Sequence, residues 1–99
     1  MNYPNLAIAD RRNNDAAMIT GPQIRMARAA LGWSASNLAE AADLSLNTIQ
    51  RLESADGVPS GRTLNLAKVQ FALETAGLMF LSDGDIRDGG PGVRFRRRD

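Results

Sequence analysis

Neither cysteine nor histidine occurs among the 99 residues. Without cysteine there is no disulfide and no thiolate metal site. Without histidine the common zinc and transition-metal sites also lose their usual ligands. The most frequent general base is missing too, so any enzyme mechanism would rest on carboxylates alone. The acids that do cluster, Asp83, Asp85 and Asp88, fit a calcium loop poorly, with one glycine and no ligand at the expected later position. The glycines of DGGPG precede neither Lys-Ser nor a helix, so no phosphate-cradling loop is present. The chain therefore reads as a non-enzyme with no metal and no cofactor. No run of about 18 apolar residues exists, which argues against a membrane span. The opening MNYPNLAIADRRNN lacks a basic start followed by a continuous apolar stretch, so it does not read as a secretory signal, and the expected compartment is the cytoplasm.

What is present is the composition of an ordinary globular domain, 43% hydrophobic and 23% charged. A chain of this length makes one domain. The net charge of +1 hides a distribution. Between Ile19 and Gly77 the bases Arg25, Arg28, Arg51, Arg62 and Lys68 balance the acids Glu40, Asp43, Glu53, Asp56 and Glu74. Beyond them, an acidic stretch around Asp83 to Asp88 precedes RFRRR, a basic run of the kind that touches nucleic acid or another anion, or is simply solvated.

Residues 1–17 show no sustained period and read as a flexible N-terminal arm. Thr20-Gly21-Pro22 is a helix-opening signal, and Ile24, Ala27, Arg28 and Leu31 follow at helical spacing until Gly32. Ser34 or Ser36 caps a short second helix through Ala42, with Leu38, Ala39 and Ala42 on its apolar face. Asp43-Leu44 makes a turn, and Ser45 caps a third helix to about Ser54, with Ile49 and Leu52 inward. ADGVPSG is a loop. Ser60 opens the longest helix, to about Ala76, whose two apolar rows, Leu66, Val69, Leu73 and Leu64, Ala67, Phe71, predict burial over a wide arc. LMFLS and GVRFRR then read as a β-hairpin, which is marginal alone and needs a cover. Glu53 reads as a structural acid bonded to backbone, Arg62 or Arg25. Trp33 reads as core.

The spaced residues Leu38-Ala39, Leu44-Ser45, Ile49, Leu52-Glu53 and Pro59 resemble the helix-turn-helix of the Cro/C1-type (XRE-like) transcriptional regulators, over Gly21 to Leu73. The resemblance implies a mostly α, lambda-repressor-like bundle of four helices whose third helix enters the major groove, followed here by a C-terminal β-hairpin. Where that family often has glycine in the turn, this chain has Asp43, a residue that tolerates the left-handed conformation. The implied division is an arm at 1–17, a DNA-binding domain at 18–77, and a hairpin with basic tail at 78–99 serving dimerisation.

Residue geometry points the same way. With Ile49 and Leu52 inward, Leu46, Asn47, Gln50, Arg51 and Ser54 lie outward, and Asn47 and Arg51 share one stripe. Arginine forks onto guanine and asparagine onto adenine, and Leu46 suits a thymine methyl. Ser45, Thr48 and the helix N-terminus suit phosphate, as does Arg62 beyond the loop, and Ser36 and Asn37 at the start of the second helix complete the expected DNA-binding set. The expected function is a DNA-binding transcriptional regulator, a repressor or autoregulator that binds a palindromic operator in double-stranded DNA as a homodimer. The other reading is a protein-binding module, such as an antitoxin or anti-activator, that masks a co-encoded partner.

Overall fold

The computed structural model describes residues 19–60, 63–84 and 88–97. The expected N-terminal arm, Arg62 and the end of the arginine tail lie outside the described residues. Among the described residues four helices, α1 (Gly21–Leu31), α2 (Ala35–Ala42), α3 (Leu46–Glu53) and α4 (Thr63–Thr75), lead into a hairpin of β1 (Leu78–Leu81) and β2 (Gly92–Phe95).

Local chemistry sets the boundaries. At the start of α1 the Thr20 hydroxyl accepts from the Gln23 N–H while the Gln23 amide oxygen accepts from the Thr20 N–H, a reciprocal capping box. Ser34, not Ser36, does the same for α2, with Asn37 as its counterpart. Ser45 caps α3 by accepting from the Thr48 N–H. Gly32, at φ 70°, closes α1. Asp43 closes α2 in the same left-handed region, at φ 60° and ψ 48°, and the Leu44 N–H reaches back to the Ala39 carbonyl to satisfy the helix end. Ser60 stands outside α4, which is described from Thr63 onward.

The core gathers Ile19, Ile24, Leu38, Ile49, Leu52, Val69, Leu73 and Leu78, with Trp33, Phe80 and Val93 packed against it. Helix α2 packs on both α3 and α4, α1 packs on α3 and β2, and α4 packs on β1. Burial of α4 is narrower than its sequence suggests. Leu66, Val69 and Leu73 are buried, but Leu64 and Phe71 remain 62% and 71% exposed. At 100° per residue those two lie across the helix from the buried row, and one row suffices to close this small core.

Two close approaches lock the bundle. A Cβ on Gly21 would stand 2.2 Å from the Ala55 carbonyl oxygen, so only glycine lets the first turn of α1 meet the chain leaving α3. The Gly21 N–H also donates to the Gly57 carbonyl at 3.0 Å. Two residues further along α1, Gln23 is 3% exposed and its amide nitrogen donates to the Leu81 and Gly92 carbonyls at 3.1 and 2.8 Å. One buried side chain thus caps α1 and holds the hairpin, with both of its polar ends satisfied.

Candidate nucleic-acid interface

Helix α3 is positioned by what its inner face makes. Ile49 and Leu52 are buried in the core, and Glu53 is 7% exposed although charged. Its carboxylate accepts two bonds from Arg28, from Nε at 2.6 Å and Nη2 at 3.0 Å. Arg28 also donates to the Trp33 carbonyl at 2.9 Å, and Arg25 donates to the main-chain carbonyl of Glu53. Among the described residues the partner of the Glu53 carboxylate is therefore Arg28, not the expected Arg25; the other expected partner, Arg62, lies outside them. The reason is the crossing of α1 over the C-terminal end of α3, which brings Arg28 to the carboxylate and leaves Arg25 to the carbonyl. The hydrogen bond to Glu53 holds the Arg28 guanidinium above its ordinary pKa, with partial burial opposing and the Glu53 charge adding to the rise.

The consequence is electrostatic as well as mechanical. The one acid of α3 is turned inward and its charge is met by a forked guanidinium, so the outer face of the helix carries no negative charge.

The outward face is the opposite in character. Asn47, Gln50 and Arg51 are exposed, and their side chains make no hydrogen bond or ion pair to any described residue. Leu46, 40% exposed, stands beside them at the helix start. The Ser45 hydroxyl donates to Thr48 Oγ1 at 2.9 Å, which leaves the Thr48 hydroxyl hydrogen free to donate elsewhere. The cap consumes the third N–H of α3, so the N–H groups of Leu46 and Asn47 are the orphans at this positive helix end. In α2 the same logic leaves the N–H groups of Ala35 and Ser36. Asn37 commits its amide oxygen to the cap and keeps its amide hydrogens, while Ser36 is exposed. Arg62 lies outside the described residues.

A short, capped helix followed by a left-handed turn and a second capped helix, braced from behind by α1, is the geometry of a helix-turn-helix. Residues 24–66 match the family model described as helix-turn-helix. These residues form a helix-turn-helix domain of the Cro/C1 type, a DNA-binding regulator family. No curated protein and no solved structure matches the chain. Within the helix-turn-helix domain α2 is the first helix of the motif, Asp43 its turn and α3 its second helix. Sequence reasoning missed Arg28, because nothing in its spacing distinguishes it from Arg25, and missed Gln23, because a glutamine in a first turn normally faces water. Among the described residues no helix is long and apolar enough to cross a membrane, and no cluster of three metal-binding side chains occurs.

Proposed function

We propose that the chain is a sequence-specific transcriptional regulator, a repressor or autoregulator, that binds a palindromic operator in the cytoplasm as a homodimer and has no catalytic activity. The observation that carries this reading is the division of α3 into two chemistries: an inner face whose acid is clamped by Arg28, and an outer face of Asn47, Gln50 and Arg51 with every polar end uncommitted among the described residues. A folded domain that leaves three long polar side chains unengaged on one stripe offers donors and acceptors to base edges in the major groove. Arg51 takes guanine, Asn47 takes adenine, and Leu46 meets a thymine methyl. The orphan N–H groups of α2 and α3, with Ser36, Asn37, Ser45, Thr48 and Arg62, hold the flanking phosphates. A two-fold pair of such domains reads two half-sites about 34 Å apart.

Selection of bound sequences from a random DNA pool tests the reading. A preferred, two-fold symmetric site is the expected result. On that site Arg51→Ala weakens binding by about 1 to 3 kcal/mol and relaxes one base pair, whereas Asn47→Ala relaxes a neighbouring pair. Arg62→Ala weakens all sequences alike and lowers the salt slope by about one. Variants at Asn47, Gln50 and Arg51 that all keep the parent's affinity and preference would remove α3 as the reader, and capture of a co-encoded protein instead would favour the masking role.

A further inference from the structure

The hairpin holds the largest unexplained feature of the molecule. Among the described residues it is a sheet of two strands, so both of its strands are edges there. The Arg96 N–H donates to the Gly77 carbonyl at 2.7 Å, and Leu78 lies opposite Phe95 in the register. Hydrogen-bonded pairs alternate in an antiparallel ladder, so Met79–Arg94 and Leu81–Gly92 are bonded pairs like Gly77–Arg96. The main-chain groups of Leu78 and Phe80 on β1, and of Val93 and Phe95 on β2, then point away from the hairpin. No bond to a described residue takes them up.

Charge separates the two edges. If β2 paired with β2 of a second copy about a two-fold axis at Arg94 or Phe95, Arg94 would face Arg94 or Arg96, and like charges directly opposite are destabilising. Strand β1 reads Leu78-Met79-Phe80-Leu81 and carries no charge. An edge strand is normally blunted by charge or proline; β2 is, and β1 is not. The ends of the hairpin also differ, with exposed Asp83 and Asp88 at the tip and exposed Arg94, Arg96 and Arg97 towards the open end. Two hairpins laid antiparallel place the acidic tip of each towards the basic end of the other, which is the complementarity a second copy of this chain supplies.

We infer that two copies of the chain pair antiparallel along β1, with the two-fold axis at Met79, to make one four-stranded sheet. Leu78 of each copy then exchanges both main-chain bonds with Phe80 of the other, which satisfies every outward group of β1 at once. Met79, 39% exposed on the face away from the core, meets its own symmetry mate. This deepens the dimeric reading above by naming the edge that carries it.

The chain has no cysteine, so a single introduced thiol reports the contact. Met79 and its mate form a non-hydrogen-bonded pair with Cα atoms about 4.5 Å apart, within the range that a disulfide spans. In the absence of DNA, mild oxidation of Met79→Cys is expected to give a covalent dimer. Arg94→Cys, on the same face but about 14 Å from its mate across three strand spacings, is not. Met79→Lys, checked for native helicity by circular dichroism, is expected to raise the dimer dissociation constant ten-fold or more in sedimentation. A parent chain that is monomeric at micromolar concentration overturns the inference, as does Arg94→Cys that cross-links as readily as Met79→Cys. A monomer that still selects a DNA sequence would overturn the pairing and leave the reading helix intact, whereas a β1-paired dimer that selects none would do the reverse.

Discussion

Helices α3 and α4 belong to one small bundle, yet they turn opposite kinds of surface to solvent. On α3 the exposed residues are Asn47, Gln50 and Arg51, polar and uncommitted among the described residues; on α4 they include Leu64 and Phe71, large and apolar. Each helix spends its inner face on the same core. What differs is the partner that the outer face suits, hydrogen-bonding base edges in one case and a dry protein surface in the other. The supports differ as well. The helix-turn-helix half is locked by the Gly21 approach and the Arg28–Glu53 pair, whereas the hairpin is tied by Gln23 and, among the described residues, leaves two strand edges open.

That contrast predicts an order of effects. Gly21→Ala drives a methyl into the Ala55 carbonyl and is expected to cost about 3 kcal/mol in chemical denaturation, the largest loss from so small a change. Glu53→Gln removes the charge that Arg28 forks onto, for about 2 kcal/mol, and loosens α3, so DNA affinity falls with stability. Gln23→Leu keeps the bulk but strips two hairpin carbonyls of their donor. It is expected to cost about 1 to 2 kcal/mol and to shift the amide resonances of β1 and β2 more than those of α3. Asp43→Gly relieves a left-handed residue and is expected to gain about 0.5 to 1 kcal/mol. Phe71→Ser should change monomer stability by less than about 0.5 kcal/mol. A large loss there, measured at a concentration where the chain is monomeric, would break the contrast between the two halves.

The caps, the turn at Asp43 and the inward residues of α3 are legible in the sequence because each follows from a local rule: a hydroxyl three residues before an N–H, or a 3.6-residue period. The outward row of α4 is not legible, since apolar residues all round a helix give the period nothing to choose between. Glu53 is recognisable as structural from the cost of an acid beside phosphate. Its partner is not, because Arg25 and Arg28 lie on the same side of α1 and only the crossing of α1 over α3 separates them. Main-chain directions along β1 and β2 require the register, which no local rule supplies.

The Gln23 amide has one more consequence, for the way the protein breathes. It joins a residue in the first turn of α1 to Leu81 and Gly92, 58 and 69 positions later in the chain. Fraying at a helix start and opening of a terminal hairpin are ordinarily separate, low-energy fluctuations. Here neither can occur without surrendering the same side chain. The protected amides of β1 and β2 and those of the first turn of α1 should therefore exchange with deuterium as one cooperative unit, with a single opening free energy. Gln23→Leu should split that unit in two, releasing the hairpin amides first while Ile49 and Leu52 stay protected.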